Sequence, residues 1–297
     1  MHPSQLQLSS GPVGDQDRYL RKFAEDADYD QIVRNTTRVL RPDGRALCVL
    51  LKGALSRQAG GAMYRAIRDK ITKTNNRGTA SGQVARASLK ADGTLSRTTR
   101  TQTAVQSSIM GFFDRNPRFP YCRRTAFNEQ HPEAYRACQP ALAEASALFA
   151  QHAPDEYARQ KAICDRTSPD FVIPGTVFTT VTLNRNFRTG YHRDAGDFAE
   201  GFGVMSYFRG GRFTGGLLVF PAWRVALELE SLDLVLFDPH EIHGNTAIAA
   251  QRPDWERITC VHYYRENMHY CGSAAEELAL VQGHDPRRGA RAMKARA

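Results

Sequence analysis

The sequence predicts a mainly β domain with flanking helices, an α+β chain built on a double-stranded β-helix, the cupin-like jelly roll. Three observations predict it. Short β-rich runs succeed one another in the last third: Gly203-Val204-Met205-Ser206-Tyr207-Phe208, Gly215-Gly216-Leu217-Leu218-Val219-Phe220, Asp233-Leu234-Val235-Leu236-Phe237 and Arg257-Ile258-Thr259-Cys260-Val261-His262-Tyr263-Tyr264. Glycines punctuate these runs, as an antiparallel meander requires. Helical stripes gather instead in the first part of the chain, so helices flank the sheet rather than alternate with its strands. With 297 residues, 41% apolar and no repeat or Pro/Ser-rich linker, the expectation is a loose tail at 1–15, one domain over 16–285 with its jelly-roll core at about 176–265, and a basic tail at 286–297.

Taken in order, Tyr19, Leu20, Phe23 and Ala27 give an imperfect helical stripe within 17–35. Arg41-Pro42-Asp43-Gly44 is a turn signal, and Ala46-Leu47-Cys48-Val49-Leu50-Leu51 is a compact buried strand. Met63, Ile67 and Ile71 mark a helix from about Gly61. Residues 83–104 are polar, basic and rich in Ser and Thr, without a usable period; 106–113 returns to a strand. Tyr135, Cys138, Leu142, Ala145 and Phe149 form the clearest amphipathic stripe, which Pro140 should kink or split. A shorter helix to about Cys164 precedes Thr176-Val177-Phe178-Thr179-Thr180-Val181-Thr182-Leu183, β-branched almost throughout and therefore a strand. One more helix is expected at about 274–282.

The net charge of +9 is unevenly spread. Residues 65–124 hold thirteen Lys or Arg against three acids, a surplus of ten. Such a run is either a solvated basic face or an attractor of polyanions. No apolar run reaches the eighteen or so residues of a membrane span, and the first residues lack a secretory h-region, so a soluble, intracellular protein with no membrane partner is expected. No protein partner is evident. The six cysteines form no C-x-x-C pair, which suggests reduced core thiols.

Chemistry concentrates at Tyr191-His192-Arg193-Asp194-Ala195-Gly196-Asp197, answered by His240-Glu241-Ile242-His243-Gly244-Asn245-Thr246. His192 and Asp194, at i and i+2, leave an extended strand on the same side. His243 can join them only if a second segment runs back beside the first. Two imidazoles and a carboxylate on one face of an octahedron suit non-haem iron(II) and leave positions open for a chelating cosubstrate and dioxygen. His240 competes for the metal, but His243-Gly244 at a strand end is the better candidate. Arg257, opening the last strand, is placed to clamp a carboxylate such as the tail of 2-oxoglutarate.

These residues resemble the ten-eleven translocation and base-J-binding-protein (TET/JBP) oxygenases, which hydroxylate the methyl group of 5-methylpyrimidines in nucleic acid. The resemblance spans residues 75 to 271 and is carried by Asn76-Arg77-Gly78, Ser108-Ile109-Met110-Gly111-Phe112-Phe113, Asn184-Arg185-Asn186-Phe187-Arg188-Thr189, His192-Arg193-Asp194-Ala195-Gly196-Asp197, Gly203-Val204-Met205, the His240 to Thr246 run and Arg257-Ile258-Thr259. It implies Fe(II) held by His192, Asp194 and His243, 2-oxoglutarate paired with Arg257, and a flipped base stacked on Tyr263. It further implies a substrate or cosubstrate contact at Asp197 and nucleic-acid contacts at Asn76 and Arg77. The implied partner is double-stranded DNA with base flipping, and the implied reaction is hydroxylation of 5-methylcytosine. The His-Arg-Asp-Ala-Gly-Asp run is most similar to the algal branch, whose member attaches a glyceryl group from ascorbate to 5-methylcytosine, so ascorbate is the rival cosubstrate. A small-molecule or protein hydroxylase on the same scaffold is the other rival. Arg265 stands where some members carry a base-reading His, and Leu232-Asp233 where Gly-Asp is usual; the latter should alter only a turn.

Overall fold

The computed structural model describes residues 3–20, 22–75, 77, 80, 88–89, 95–96 (backbone alone at these last two pairs), 104–194 and 196–283. Asn76 and the 286–297 tail lie outside the described residues, as does most of 83–104. In chain order the first elements are β1 (Ser4–Gln7), β2 (Gln31–Val33), β3 (Thr37–Leu40), β4 (Ala46–Leu51), α1 (Arg57–Ile67) and β5 (Lys73–Thr74). There follow β6 (Ser88–Leu89), which pairs with β7 (Leu95–Ser96), then β8 (Val105–Phe113), β9 (Arg123–Arg124), α2 (Ala126–Gln130), α3 (Pro132–His152) and α4 (Pro154–Cys164). The last third holds β10 (Thr180–Arg185), β11 (Gly203–Gly210), β12 (Thr214–Gly215), β13 (Leu218–Phe220), β14 (Val225–Leu227), β15 (Leu234–Phe237), β16 (Gly244–Asn245), β17 (Ile248–Ala249), β18 (Glu256–Tyr263) and α5 (Ala274–Gln282).

The runs near 203 and 257 pair with each other: β11 and β18 are antiparallel from Val204–His262 to Gly210–Glu256. Around them the large sheet runs β1-β3-β4-β15-β11-β18-β10-β8-β5, with β9 on β8. A smaller sheet, β16-β13-β14-β2, faces it. Met205, Tyr207, Val235 and Phe237 of the large sheet pack on Leu218, Phe220, Val225 and Leu227 of the small one, the sandwich core of a jelly roll. The opposite face of the large sheet is covered by α1, α3 and α4 through Met63, Ile67, Cys138, Leu142, Phe149 and Ile163. This is the expected fold, its two sheets not closed into a barrel.

Several expectations about its outer parts need correction. The N-terminal segments do not merely pack outside the roll: β1, β3 and β4 extend the large sheet, and β2 pairs in parallel with β14 of the small one. Ser4–Gln7 is therefore a strand rather than loose tail. Residues 17–35 form no α-helix; two short 3-10 turns, Gln16–Tyr19 and Asp26–Asp28, lead into β2. Tyr19 turns inward onto Tyr191, ring centroids 5.7 Å apart, and this tertiary contact outweighs the weak helical period. Helix α1 starts four residues earlier than expected because Ser56 caps it by accepting from Ala59 N. Pro140 does not split α3: it sits on the exposed face, where water can meet the carbonyl it leaves unpaired. Strand β10 begins at Thr180, since Thr176 to Thr179 turn to bond Ser146, Ile173 and Tyr263. Cys122 and Cys271 are joined as a disulfide (Cα–Cα 5.7 Å), while Cys48, Cys138, Cys164 and Cys260 are buried thiols. A pairing across 149 residues leaves no trace in local spacing. Leu232 takes φ +72°, the left-handed region glycine favours. The turn keeps its form because Asp233, buried behind it, accepts from Gly53 N, Lys52 Nζ and Glu230 N. No helix among the described residues is long and apolar enough to cross a membrane.

Candidate active site

The two halves of the metal motif meet through their backbones. His192 and His243 form an antiparallel bridge, each N–H donating to the other's carbonyl at 3.0 Å, and Asp194 N donates to Pro239 O at 3.0 Å. Opposed residues of an antiparallel pair point the same way, which brings the two imidazoles to 4.5 Å between centroids. Gly244 permits this approach: a Cβ there would lie 2.9 Å from the Tyr191 ring and 3.0 Å from Thr189 O. Nε2 of His192 is 3.3 Å from Asp194 Oδ1, and Nε2 of His243 is 3.7 Å from Oδ2. Among the described residues, His192, Asp194 and His243 are the group able to hold a metal, their ligand atoms all within 4.8 Å of one another. His240 turns aside, its Nδ1 3.3 Å from Asp238 Oδ1.

The donor set fits a divalent transition metal. Nδ1 of His192 faces Gly190 O and Nδ1 of His243 faces Glu241 O, each at 2.9 Å. A carbonyl only accepts, so Nδ1 carries the proton and Nε2 keeps a lone pair for the centre of the triad. Burial, reinforced by His192, lowers His243 to about 4, so that imidazole is neutral at neutral pH. Burial opposes charge on Asp194, yet the hydrogen bond from His192 and the electrostatic pull of the two imidazoles lower it to about 2. Burial also opposes charge on His192, where Asp194 outweighs it and raises the pKa. His243 is thus a neutral nitrogen donor, while Asp194 favours a proton on His192 that a bound metal would displace, leaving two nitrogen ligands and one anion.

All of this faces one cleft of about 400 Å³. Strand β18 lines it with Arg257, Thr259, Val261 and Tyr263, the alternate residues of one strand face. Arg257 lies at its floor, 3% exposed, with its guanidinium 5.3 Å from the Tyr207 ring. Nη2 makes a long contact with Gly216 O (3.4 Å), Nε has no partner, and no carboxylate pairs with the side chain among the described residues. Burial lowers its pKa accordingly. A buried guanidinium with an unmet donor fits the far carboxylate of a dicarboxylic cosubstrate.

The remaining expected residues that the structure describes line the same cleft. Tyr263 is buried with its hydroxyl 3.4 Å from Thr182 Oγ1. Asp197 is buried with Oδ2 unpartnered; burial, then the Asp194 charge, raises it well above the usual carboxylate range. Arg77 donates from Nε to Ser107 Oγ at 2.7 Å, and Ser107 donates on to Asn184 Oδ1 at 2.6 Å. Sequence reasoning missed Asp114, which accepts from Arg265 Nε and Nη2, both at 2.8 Å, and fixes that guanidinium at the cleft rim. The available signal was its rarity, one of three acids in the basic stretch. Ser107 was also missed.

A jelly roll that presents two imidazoles and a carboxylate beside a buried, unpaired arginine is the frame of a non-haem iron oxygenase. Residues 108–266 match the Tet_JBP family model, the oxygenase domain of the 2OGFeDO superfamily. The chain belongs to that TET/JBP family of iron(II)- and 2-oxoglutarate-dependent dioxygenases. Thymine dioxygenase JBP1 of Trypanosoma brucei brucei (strain 927/4 GUTat10.1) is 30% identical over 248 residues, covering 82% of this chain and 27% of its own. Thymine dioxygenase JBP1 of Leishmania braziliensis is 35% identical over 175 residues, covering 57% and 21%. The chain thus spans only 27% or less of the length of these relatives. The solved structure of NgTET1 in complex with 5mC DNA aligns with a TM-score of 0.60 over 96% of this chain and 92% of its own, at 12% identity, a likeness of fold.

Proposed function

We propose that this protein uses iron(II), 2-oxoglutarate and dioxygen to hydroxylate the 5-methyl group of a methylpyrimidine in DNA, 5-methylcytosine being the base expected from the family resemblance. One observation carries the reading: a single cleft gathers the His192, Asp194 and His243 triad, the unpaired Arg257, and Tyr263 with Asp197 and Arg77. The triad would hold the metal and Arg257 the far carboxylate. When bound, metal and cosubstrate supply the oxidation: one oxygen atom goes to the methyl carbon as hydroxyl, the other to succinate as 2-oxoglutarate loses carbon dioxide.

The chain's own share is geometry. A methyl inside a duplex is out of reach of a buried triad, so the base must leave the stack at a cost of a few kcal/mol. Stacking on Tyr263 offsets this by about 1–3 kcal/mol. The unpartnered oxygen of Asp197 can accept an N–H of the base, and Arg77 and Arg265 offer donors from the same cleft. Arg257 favours 2-oxoglutarate over ascorbate, because ascorbate, an enediol lactone, has no carboxylate to pair with it.

The relatives are named thymine dioxygenases, so thymine belongs in the first test. Purified protein with iron(II) is given duplexes bearing 5-methylcytosine or thymine, with 2-oxoglutarate or ascorbate alone, and the nucleosides are weighed by mass spectrometry. A gain of one oxygen with 2-oxoglutarate is expected, and the base that gains it is the substrate. A larger adduct with ascorbate alone would replace the hydroxylase with the glyceryl-transfer reading. No change on either duplex, with metal bound, would sink the DNA reading.

A further inference from the structure

A second cleft, of about 260 Å³, lies against the catalytic one, and Arg77 and Ile109 line both. Its charged walls are Lys70 and Lys73, with Arg77 at the boundary, and no Asp or Glu among the described residues lines it. Neither lysine has an ion-pair partner among the described residues, whereas Lys52 and Lys161 are paired with Asp233 and Asp165. The rest of the polar lining is mostly hydroxyls, with Gln130 and His131 beside them: Thr72 N and Oγ1 meet Ser108 Oγ at 3.0 and 3.2 Å, and Thr125 lines the same cleft. Phe113 supplies an aromatic face, and it joins the two clefts a second time. The Arg265 guanidinium, on the catalytic rim, lies 5.6 Å from the Phe113 ring; Arg123 lies 4.9 Å from the same ring and 4.2 Å from that of Phe119. Cationic and aromatic groups thus alternate outward from the base pocket.

From this juxtaposition we propose that the second cleft holds the phosphodiester next to the flipped nucleotide, with Lys70 and Lys73 as its cations and Phe113 beneath the neighbouring sugar or base. The inference rests on the DNA reading above. A flipped nucleotide stays tied to its strand, so the phosphate beside it must lie a few ångströms from the base pocket. Among the described residues the adjoining cleft offers two ammonium groups without an ion-pair partner, several hydroxyls and no opposing carboxylate. Phosphate contacts position a strand without reading its sequence.

The test is binding of a methylated duplex at a series of salt concentrations, for the wild type, Lys70→Gln/Lys73→Gln and a control, Lys161→Gln. Both lysines reach solvent, so the double variant should fold, and an unchanged Tm with unchanged 2-oxoglutarate affinity verifies it. Expected for the double variant are about tenfold weaker DNA binding whatever the sequence, and a slope of log K against log salt shallower by about two. The control should keep the wild-type slope. If the double variant binds with wild-type affinity and slope, the strand does not pass through this cleft and the proposal falls while the DNA reading stands. If the wild type itself shows no salt-dependent DNA binding, both fall. If inorganic phosphate raises the Tm of the wild type but not of the double variant while DNA binding is unmoved, the cleft is a free-anion site and the proposal is overturned.

Discussion

Glu256 and Arg257 are neighbours on β18, both charged and both nearly inaccessible, at 4% and 3% exposure, yet the protein neutralises only one of them. Glu256 points to the helix-covered face, where Arg185 Nη2 meets it at 2.7 Å and the Tyr64 hydroxyl donates at 2.5 Å. Arg257 points into the cleft and meets no carboxylate among the described residues. The division continues along the strand: Ile258, Cys260 and Tyr264 join the helix-side core, while Thr259, Val261 and Tyr263 line the cleft. One face is finished by the chain itself, and the other is left for ligands to finish. A lone buried charge costs several kcal/mol, and an anion beside Arg257 would offset that cost.

The largest test of that contrast is removal of a triad residue. His243→Ala or Asp194→Ala should lose all detectable hydroxylation and most iron by elemental analysis, with the circular dichroism spectrum kept. If His243→Ala stayed active and His240→Ala did not, the ligand assignment would be wrong. Next comes the floor. Arg257→Met should raise the KM for 2-oxoglutarate by about thirtyfold or more, from about 2–5 kcal/mol of lost pairing. Without cosubstrate it should melt no lower than the wild type, since an uncompensated charge has gone. A large loss of Tm in the cosubstrate-free variant would show that Arg257 is structural.

His262 is the exception on the finished face. Its Nε2 meets Ser206 Oγ at 2.9 Å, but Nδ1 has no partner, and burial lowers it to about 3. Because the unfolded imidazole titrates near 6.5, the unfolded chain binds the proton first as pH falls. Its contribution is complete above about pH 6.5 and shrinks as pH falls toward about 3. Urea midpoints of metal-free protein should therefore drop across that window, and His262→Leu should flatten the slope by about one proton. It should also cost about 1–3 kcal/mol at neutral pH, because Ser206 loses its partner. An unaltered slope would place the titration elsewhere.

The smallest effect is expected at the rim. Asp114→Asn frees Arg265 and should raise the KM for DNA about fivefold, roughly 1 kcal/mol, with the KM for 2-oxoglutarate unmoved. Equal changes in both constants would dissolve the distinction between rim and floor.

What could be read from the sequence was whatever is encoded locally. The His192 and Asp194 pair and the strand runs at 203, 233 and 257 rest on spacing and alternation within a few residues, and α5 spans 274–282 as expected; His243 and Arg257 entered through the ordered set of motifs along the chain. What escaped depends on distant partners. Asp114 meets Arg265 across 151 residues, Cys122 meets Cys271 across 149, and β2 needs β14 to be a strand at all. Tyr19 gave a helical period and then left it for Tyr191. Long-range pairing overrides weak local preference, and a single chain of letters does not show it.

The N-terminal strands carry that dependence into synthesis. Val49 of β4 pairs with Leu236 and Ile32 of β2 with Ala226, so strands made first find their partners only when the last third of the chain has emerged. At the usual 5–20 residues per second the wait is about 10–40 s. Throughout it Ala46–Leu51, a run with no charge and no proline, has an unsatisfied edge. The nascent protein should therefore be most prone to aggregate, and most in need of a chaperone, before residue 237 has left the ribosome.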